Sequence, residues 1–224
     1  MSIKENIIKL RAEIPAAVSI VAVSKTKAAS EILEAYRAGQ LIFGENKTRE
    51  VQSKYQILSK DIQWHFIGHL QTNKVKYIAP YIHLVESVDS LKILEELNIA
   101  AKRNSRVINC LLQFHIASES TKFGLSPEEA DNMLQSDAYR EMKNILICGV
   151  MGMATYTEDE QVIRKEFRTL RGYFEDLKTS HFSRQPEFRE ISMGMSGDYR
   201  MAIEEGSTMV RIGSAIFGER IQKE

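Results

Sequence analysis

Ile191–Asp198 (ISMGMSGD) and Thr208–Ser214 (TMVRIGS) decide the fold of this sequence. In each segment a short apolar run leads into a Gly/Ser-rich turn, and a helical pattern follows the turn. Backbone N–H groups at such turns point outward and favour an anion, so a phosphate group is the expected ligand. Two such turns on successive strands, with Arg211 on the second, predict one phosphorylated ligand held between them.

The rest of the chain alternates short apolar runs with longer amphipathic segments. Near-continuous apolar strands of this kind are typical of a parallel sheet that is covered on both faces. Eight strand–helix units in 224 residues average about 28 residues each, which is compact for a (β/α)8 barrel but within its range. The predicted strands are Val18–Ser24, Leu41–Phe43, Trp64–Ile67, Ile82–Val85, Val107–Ile116, Ile145–Val150, Phe188–Ile191 and Met209–Ile212.

The sequence therefore predicts an α/β fold, a single-domain (β/α)8 TIM barrel that spans residues 1–224. An open doubly wound sheet is the competing architecture, but it normally has fewer strands and a Gly-rich fingerprint after the first. Ser24–Lys27 (SKTK) is not such a fingerprint. In a TIM barrel, phosphates bind at the loops after strands 7 and 8, which is where the two turns fall.

Capping signals predict several helix boundaries. Small polar residues favour the N-cap, a Ser/Thr followed three residues later by Glu forms a capping box, and glycine favours the C-terminal end. The predicted starts are Asp89 as an N-cap, Ser126–Glu129 as a capping box with proline at the first helical position, and Thr157 with Glu160 as a second capping box; the predicted ends are Gly39 and Gly206.

The composition argues against several classes of protein. Thirty basic side chains balance thirty acidic ones, which removes the usual electrostatic argument for binding nucleic acid or an anionic membrane. No apolar run approaches the roughly 20 residues needed to span a bilayer, and Met1–Asn6 lacks the apolar core of a signal peptide. Cys110 and Cys148 lie in apolar runs and are expected to be buried thiols. We expect a cytoplasmic protein that binds neither nucleic acid nor membrane.

Ser24–Lys27 places two lysines at the carboxyl end of the first predicted strand, where ligands of a barrel bind. Partial desolvation beside other cations favours the neutral amine, which attacks carbonyl groups. Lys25 and Lys27 have the same parity along the strand, so alternation does not choose between them. Taken alone, either lysine is also compatible with a solvated charge at a strand end.

Five segments together resemble the pyridoxal phosphate homeostasis proteins, a single-domain family related to the barrel of alanine racemase. They follow the family's order from residue 22 to residue 218, so the resemblance covers nearly the whole chain. Ala28 departs from the family, which often has proline at that position; the proline would shape the loop rather than react. The segments are Ala22–Lys27, Phe43–Asn46, Trp64–Gln71, Ser192–Asp198 and Val210–Gly218.

The resemblance implies that the cofactor is pyridoxal 5′-phosphate (PLP), held as a Schiff base on Lys25. It also implies that Asn46 lies beside the cofactor and that Arg211 faces the pyridine nitrogen. The residues implied to cradle the phosphate are Ser192, Met195, Ser196, Gly213 and Ser214.

Arg211 has a chemical consequence in that position. A guanidinium is effectively always protonated and can only donate hydrogen bonds. Opposite Arg211 the pyridine nitrogen must therefore stay unprotonated. An unprotonated ring is a poorer electron sink, so it stabilises a neighbouring carbanion less than a pyridinium would.

Other polar residues are expected to be structural. His65, between Trp64 and Phe66, is expected to be a hydrogen-bonded histidine that lines the barrel, and His69 is expected at the start of a helix. Lys122 is interpreted as a surface loop lysine near the barrel mouth. None of the five histidines forms a metal-type cluster with cysteines or carboxylates, so no metal site is predicted.

The expected function is PLP binding in intracellular PLP homeostasis, without robust turnover. A racemase needs two acid–base groups on opposite faces of its substrate, and Lys25 supplies only one. In related enzymes an additional β domain supplies the second group, and we expect no such domain because the chain ends at Glu224. The alternative is a weak PLP-dependent racemase or related amino-acid enzyme that recruits Tyr156 or Tyr199. An apo phosphate-sensing or interaction module is the third possibility.

The expected partners follow from the same interpretation. They are PLP itself and the amino acids or PLP-dependent apo-enzymes that exchange it with the protein. A lone barrel without the additional domain is expected to be a monomer.

Overall fold

Eight parallel strands close into a barrel in which each strand pairs with the next in the chain and β1 pairs with β8. The computed structural model describes residues 2–118 and 123–219. The predicted (β/α)8 barrel is confirmed. The strands are β1 Ser19–Val23, β2 Ile42–Glu45, β3 Gln63–Phe66, β4 Leu84–Val88, β5 Ile108–Phe114, β6 Ile145–Gly152, β7 Glu190–Met195 and β8 Met209–Ile212.

All eight predicted strands are present, with boundaries that differ by a few residues. The largest difference is in β7, which was predicted to end at Ile191 and continues to Met195. The continuation is paired, because Ser192 lies opposite Met209 and Met195 lies opposite Arg211 in β8. The first quoted segment therefore belongs mostly to the strand, and its turn begins at Ser196.

Helices surround the barrel and follow the strands. The helices are α1 Ile3–Glu13, α2 Ala29–Arg37, α3 Thr48–Ile57, α4 Thr72–Val75, α5 Leu91–Arg103, α6 Pro127–Gln135, α7 Asp137–Arg140, α8 Glu160–Ser180, α9 Tyr199–Glu204 and α10 Ser214–Phe217. In the part of the chain that the structure describes, no helix is both long and apolar enough to cross a bilayer.

Helix α1 precedes the first strand and was not predicted. It starts with a capping box in which Ser2 and Glu5 bond to each other's backbone N–H groups. The Asn6 side chain donates to the carbonyl of Ile216 in α10 at 2.9 Å. Helix α1 therefore joins the two ends of the described chain.

Some of the predicted helix boundaries are confirmed. Ser126 caps α6, with Pro127 in its first turn and a reciprocal bond to Glu129. Gly39 and Gly206 follow the ends of α2 and α9 with φ of 90° and 101°, the left-handed conformation that glycine adopts without a steric penalty.

Two predicted N-caps were wrong. Ser90, not Asp89, is at the N-cap of α5, because the Asp89 carboxylate is bonded to His69 instead. Helix α8 is capped by Asp159, whose carboxylate accepts from the N–H groups of its first turn. Thr157 lies outside the helix, and its hydroxyl accepts from the Asp159 N–H. In both cases a neighbouring polar residue took the capping position.

The barrel packs in two layers of buried side chains. The larger layer lies between the strands and the helices and includes Trp64, Phe66 and Phe167. A smaller apolar group fills part of the barrel interior and includes Val21 and Cys148. Cys110 and Cys148 are free buried thiols as predicted, and burial raises the pKa of Cys148 to about 11. The interior that this group leaves open at the carboxyl ends of the strands forms the candidate site.

Candidate functional site

A cavity of about 500 Å³ opens at the carboxyl ends of the strands. This upper cavity is lined by residues of, or after, β1, β2, β3, β6, β7 and β8, and by Ile163 of α8. Among the residues that the structure describes, it brings together three cations, Lys25, Lys27 and Arg211, and one carboxylate, Asp198. The size is within the range of about 300–1,000 Å³ that is usual for small-molecule sites, and the excess of cations favours an anionic ligand.

Seven of the eight predicted site residues line the upper cavity. The exception is Ser192, which is fully buried below it, with its hydroxyl bonded to Glu86 and Arg211. The seven lining residues are Lys25, Asn46, Met195, Ser196, Arg211, Gly213 and Ser214. The segments that carry them are separated by up to about 190 residues in the sequence, and barrel closure places them around one space.

The two lysines occupy different positions in one tight turn. Strand β1 ends at Val23, and the Lys27 N–H donates to the Ser24 carbonyl at 3.0 Å. Thr26 has a φ of 66°, so the chain is no longer extended there. The alternation of side chains along a strand therefore does not apply to Lys25 and Lys27. The Lys27 ammonium donates to the Phe217 carbonyl at 2.9 Å and lies 3.3 Å from Glu31.

A buried ion pair supports this turn from below. Glu45 at the end of β2 lies 2.6 Å from the Lys54 ammonium of α3, and it also accepts from the Ser24 hydroxyl at 2.6 Å. Lys54 in turn donates to the Ser24 carbonyl at 2.9 Å. Burial raises the pKa of Glu45 although the Lys54 charge opposes the shift. Glu45 and Lys54 thereby fix the residue that precedes Lys25.

Glu50 fixes the other side of the same turn, because its carboxylate accepts from the Thr26 N–H at 2.8 Å. Glu45, Glu50 and Lys54 were not predicted from the sequence. Glu45 lies within one of the quoted segments, but no local pattern indicates that Lys54 is its partner.

The turns after β7 and β8 converge on one oxygen. The Ser196 hydroxyl accepts from the N–H groups of Gly213 at 3.2 Å and Ala215 at 3.4 Å. Asp198 closes the first turn, because its carboxylate accepts from the Met195 N–H. Burial raises the pKa of Asp198. Backbone donors of one turn therefore already point toward an oxygen acceptor carried by the other turn, as an anion site requires.

Arg211 is held rigidly at the base of the upper cavity. It is 4% exposed, and its two terminal nitrogens donate to the Ser192 hydroxyl at 2.6 Å and to the Gly152 carbonyl at 2.8 Å. Burial lowers the pKa of Arg211, while the charges of Glu86 and Asp198 oppose the shift. Arginine still keeps its proton in such a site, so Arg211 presents hydrogen-bond donors only.

Asn46 carries an unsatisfied acceptor. Its Oδ1 is buried and has no hydrogen-bond partner in residues 2–118 and 123–219. The backbone around it is tightly fixed, because a Cβ atom on Gly68 would lie 2.5 Å from the Asn46 carbonyl oxygen. A buried acceptor without a donor is costly, and a ligand that offers an N–H or O–H group would satisfy it.

The loop after β6 forms the remaining wall of the upper cavity. Glu166 of α8 accepts from the N–H of Thr155 at 2.7 Å and from its hydroxyl at 2.8 Å. The same carboxylate accepts from the Ser118 N–H at 3.2 Å. Tyr156 lies next to this anchor at the rim and is 98% exposed.

The prediction for His65 is confirmed, and the prediction for His69 is wrong. His65 is buried and bonded to Glu86, as expected for a histidine that lines the barrel. His69 lies before α4, which starts only at Thr72, so its predicted place at a helix start was wrong. Its ring bonds to Asp89 at 2.9 Å and stacks on Phe123.

Two further predictions concern Lys122 and metals. Lys122 lies outside the described residues. Within residues 2–118 and 123–219, no group of three or more His, Cys, Asp or Glu side chains is arranged to hold a metal ion.

The chain is similar to proteins of known name over nearly its whole length. The family model for the alanine racemase N-terminal domain matches residues 1–221. A pyridoxal phosphate homeostasis protein of Aquifex aeolicus is 37% identical over 202 residues, which cover 90% of this chain and 86% of the relative. The solved structure of PipY from Synechococcus elongatus with PLP bound matches with a TM-score of 0.85 and 32% identity, covering 97% of this chain and 100% of PipY.

More distant structures share the fold alone. Alanine racemase of Bartonella henselae matches with a TM-score of 0.73 at 15% identity. The match covers 98% of this chain but 63% of the racemase chain.

Proposed function

The chain belongs to the pyridoxal phosphate homeostasis protein family, which has the fold of the alanine racemase N-terminal domain, and from this premise we propose that it binds PLP in the upper cavity for PLP homeostasis. One observation carries the proposal. The cavity unites an amine, a guanidinium and two amide-rich turns, which match the aldehyde, the ring nitrogen and the phosphate of PLP.

The turns after β7 and β8 would hold the phosphate. The donors that now converge on the Ser196 hydroxyl, the N–H groups of Gly213 and Ala215, are the type of group that binds phosphate oxygens. Met195 and Ser214 border the same space. Ser192 lies below it, so in this proposal its role is to orient Arg211 rather than to touch the phosphate.

Lys25 would hold the aldehyde. Its primary amine would be the covalent anchor for the aldehyde carbon, a condensation that would release one water. The turn of Ser24–Lys27, fixed by Glu45, Glu50 and Lys54, holds the start of this side chain at the cavity wall. In the same turn the Lys27 ammonium contacts the Phe217 carbonyl and Glu31; the assignment of the aldehyde to Lys25 follows the family resemblance.

Arg211 would face the ring nitrogen, and Asn46 would accept from a polar group of the cofactor. When bound, PLP offers an electron-withdrawing ring that stabilises a carbanion. Because Arg211 can only donate, it would hold the ring nitrogen unprotonated and so weaken that property. The site is therefore suited to holding the cofactor more than to turning over a substrate.

The finer features of the function belong to the same proposal. PLP would be exchanged with amino acids or PLP-dependent apo-enzymes, by a monomer located in the cytoplasm. Size-exclusion chromatography with light scattering tests the monomer, and transfer of PLP to an apo-enzyme in a coupled assay tests the exchange.

Weak amino-acid racemisation is the second candidate. It is favoured by Tyr156, which lines the upper cavity and could supply a second acid–base group. Tyr199, the other tyrosine considered, is buried and bonded to Glu13 at 2.8 Å. Exchange of the α-proton of alanine in heavy water at about 1 s⁻¹ or faster would favour the enzyme.

Borohydride reduction tests the proposed cofactor site. PLP-loaded protein is reduced, digested and mapped by mass spectrometry. We expect the adduct on Lys25, its loss in Lys25→Ala and its retention in the matched control Lys27→Ala. An adduct on Lys27 or Lys122 would overturn the assignment to Lys25, and protein that neither absorbs as a Schiff base nor gains mass would overturn PLP binding itself.

A further inference from the structure

A chain of buried polar side chains runs through the barrel below the upper cavity. Glu86 of β4 is its centre and is fully buried. One carboxylate oxygen lies 2.7 Å from Nδ1 of His65 in β3, and the other accepts from the Ser192 hydroxyl of β7 at 2.6 Å. Ser192 is bonded to Arg211 of β8 at 2.6 Å. Four strands therefore contribute to one connected network.

The direction of the hydrogen bonds follows from the chemistry of the groups. Arg211 can only donate, so the Ser192 oxygen must accept from it. The single hydrogen of the Ser192 hydroxyl then goes to Glu86. Glu86 must offer an acceptor at that oxygen, and an ionised carboxylate does so at both oxygens. The network is thus directed from Arg211 through Ser192 to Glu86.

The charges support an ionised Glu86. Burial acts to raise the pKa of Glu86, but the hydrogen bond from His65 and the charges of His65 and Arg211 outweigh it and lower the pKa. Arg211 Nη1 lies 3.8 Å from the carboxylate. The charged groups that act on Arg211 are Glu86 from below and Asp198 from the start of α9. An arginine buried without such a counter-charge would be strongly disfavoured.

His65 fixes the orientation of Glu86. Its Nδ1 holds one carboxylate oxygen, so the other oxygen points toward Ser192. The His65 ring lies parallel to that of His83, with ring centres 5.7 Å apart and an interplanar angle of 5°. Burial and the neighbouring charges of His65 and Arg106 lower the pKa of His83. The lowered pKa favours the neutral form of His83.

We propose that Glu86 is a positioning residue that, through Ser192, aims the Arg211 guanidinium at the ring nitrogen of the cofactor. The inference rests on the proposed PLP site and adds to it a residue that does not line the cavity. The second bond of Arg211, to the Gly152 carbonyl, fixes only one terminal nitrogen. The Ser192–Glu86 arm fixes the other, and both are needed to define the plane of the guanidinium.

The test uses the ¹⁵N resonance of PLP labelled at the ring nitrogen and bound to the full chain. In the wild type we expect the resonance of an unprotonated nitrogen that accepts a hydrogen bond. Arg211→Gln defines the resonance without the guanidinium. In Glu86→Gln we expect the resonance to move at least about one third of the way toward that of Arg211→Gln. The matched control is Glu190→Gln, a carboxylate of β7 that is bonded to Thr208 and should leave the resonance unchanged.

Thermal unfolding of the same apo proteins separates positioning from simple stabilisation. If Glu86→Gln lowers the melting temperature but leaves the ¹⁵N resonance at the wild-type position, the proposal is overturned. If Glu86→Gln does not fold, Glu86→Asp decides, because it keeps the charge and shortens the reach: displacement toward the Arg211→Gln position supports the proposal, and an unchanged resonance refutes it. Wild-type protein that yields neither a bound resonance nor a reduced adduct would refute the PLP site instead.

Discussion

The two ends of the barrel hold cavities of similar size and different chemistry. The upper cavity measures about 500 Å³ and the lower cavity, at the amino ends of the strands, about 440 Å³. The lower cavity is lined by the first residues of several strands, such as Ser19 and Gln63, and by Cys148. Within the described part of the chain it is lined by no lysine and by one arginine, Arg189, which is accompanied by Glu187 and Glu190.

The contrast follows from chain direction rather than from cavity size. Every strand of a (β/α)8 barrel points toward the upper end, so the helix that follows it begins there with unpaired N–H groups. The chain returns to the lower end from helix carboxyl ends, whose dipoles disfavour anions. The turns at Ser196 and Gly213 are therefore upper-end features, which the lower cavity cannot reproduce.

The strongest loss of PLP affinity should come from a negative charge placed in the turns after β7 and β8. Ser196→Asp puts a carboxylate where the N–H groups of Gly213 and Ala215 converge. We expect PLP affinity to fall on the order of 1,000-fold, since like charges in contact cost several kcal/mol. Gln63→Glu adds the same charge at the lower cavity and should change the affinity less than about 3-fold. Equilibrium dialysis measures both, and equal losses would contradict the assignment of the phosphate to the upper end.

The next effect concerns stability. Glu45→Ala removes the nearer carboxylate of the buried pair below Lys25 and leaves the Lys54 ammonium, which is 9% exposed, with the Glu50 carboxylate at 3.6 Å. We expect the free energy of unfolding to fall by about 3 kcal/mol, as for other broken buried pairs. Glu190→Gln at the lower cavity breaks a pair with the exposed Arg189 and should cost about 1 kcal/mol or less. Urea unfolding of the apo proteins compares them, and a larger loss in Glu190→Gln would reverse the ranking.

A third prediction concerns the reactivity of the Cys148 thiol in the lower cavity. Burial raises the pKa of the Cys148 thiol in the lower cavity to about 11, so it is protonated at neutral pH. We expect iodoacetamide to modify Cys148 at pH 7.5 about 100-fold more slowly than a free thiol of ordinary pKa. Mass spectrometry of Cys110→Ser protein, in which Cys148 is the remaining cysteine, gives the rate. Fast labelling would show that the lower cavity is more open or more polar than the structure indicates.

The smallest effect lies outside the upper cavity, at α1. Glu13 accepts from the Tyr199 hydroxyl and from Arg200, both at 2.8 Å. It thereby fixes α9, which follows the turn after β7. The hydrogen bonds from Arg200 and Tyr199 lower the pKa of Glu13 from 4.5. Their contribution to stability is thus present above pH 4.5 and lost as the pH falls through the lower, folded-state pKa. Glu13→Gln should unfold at slightly lower urea than wild type at pH 7, and the difference should shrink progressively as the pH falls below 4.5; a constant difference would refute the ionic contribution.

Much of the fold could be predicted because its signals are local. Apolar runs reveal strands, and Ser126 and Gly206 mark helix ends through bonds and dihedral angles within a few residues. The errors arose where a tertiary contact competed with a local signal. Asp89 looks like an N-cap, but the fold offers it His69. The comparison of Lys25 with Lys27 assumed that β1 continues through both residues, but β1 ends at Val23.

By itself, the sequence determined the strand–helix alternation, the direction of every strand and hence the end of the barrel at which the Gly/Ser-rich turns lie. These features depend on backbone geometry over a few residues. Only the tertiary structure decided that Ser192 lies below the cavity, that Glu45 pairs with Lys54, and that Glu86 is connected to Arg211. The physical reason is that buried charges must find partners, and contacts such as those between β4, β7 and β8 form only when the barrel closes.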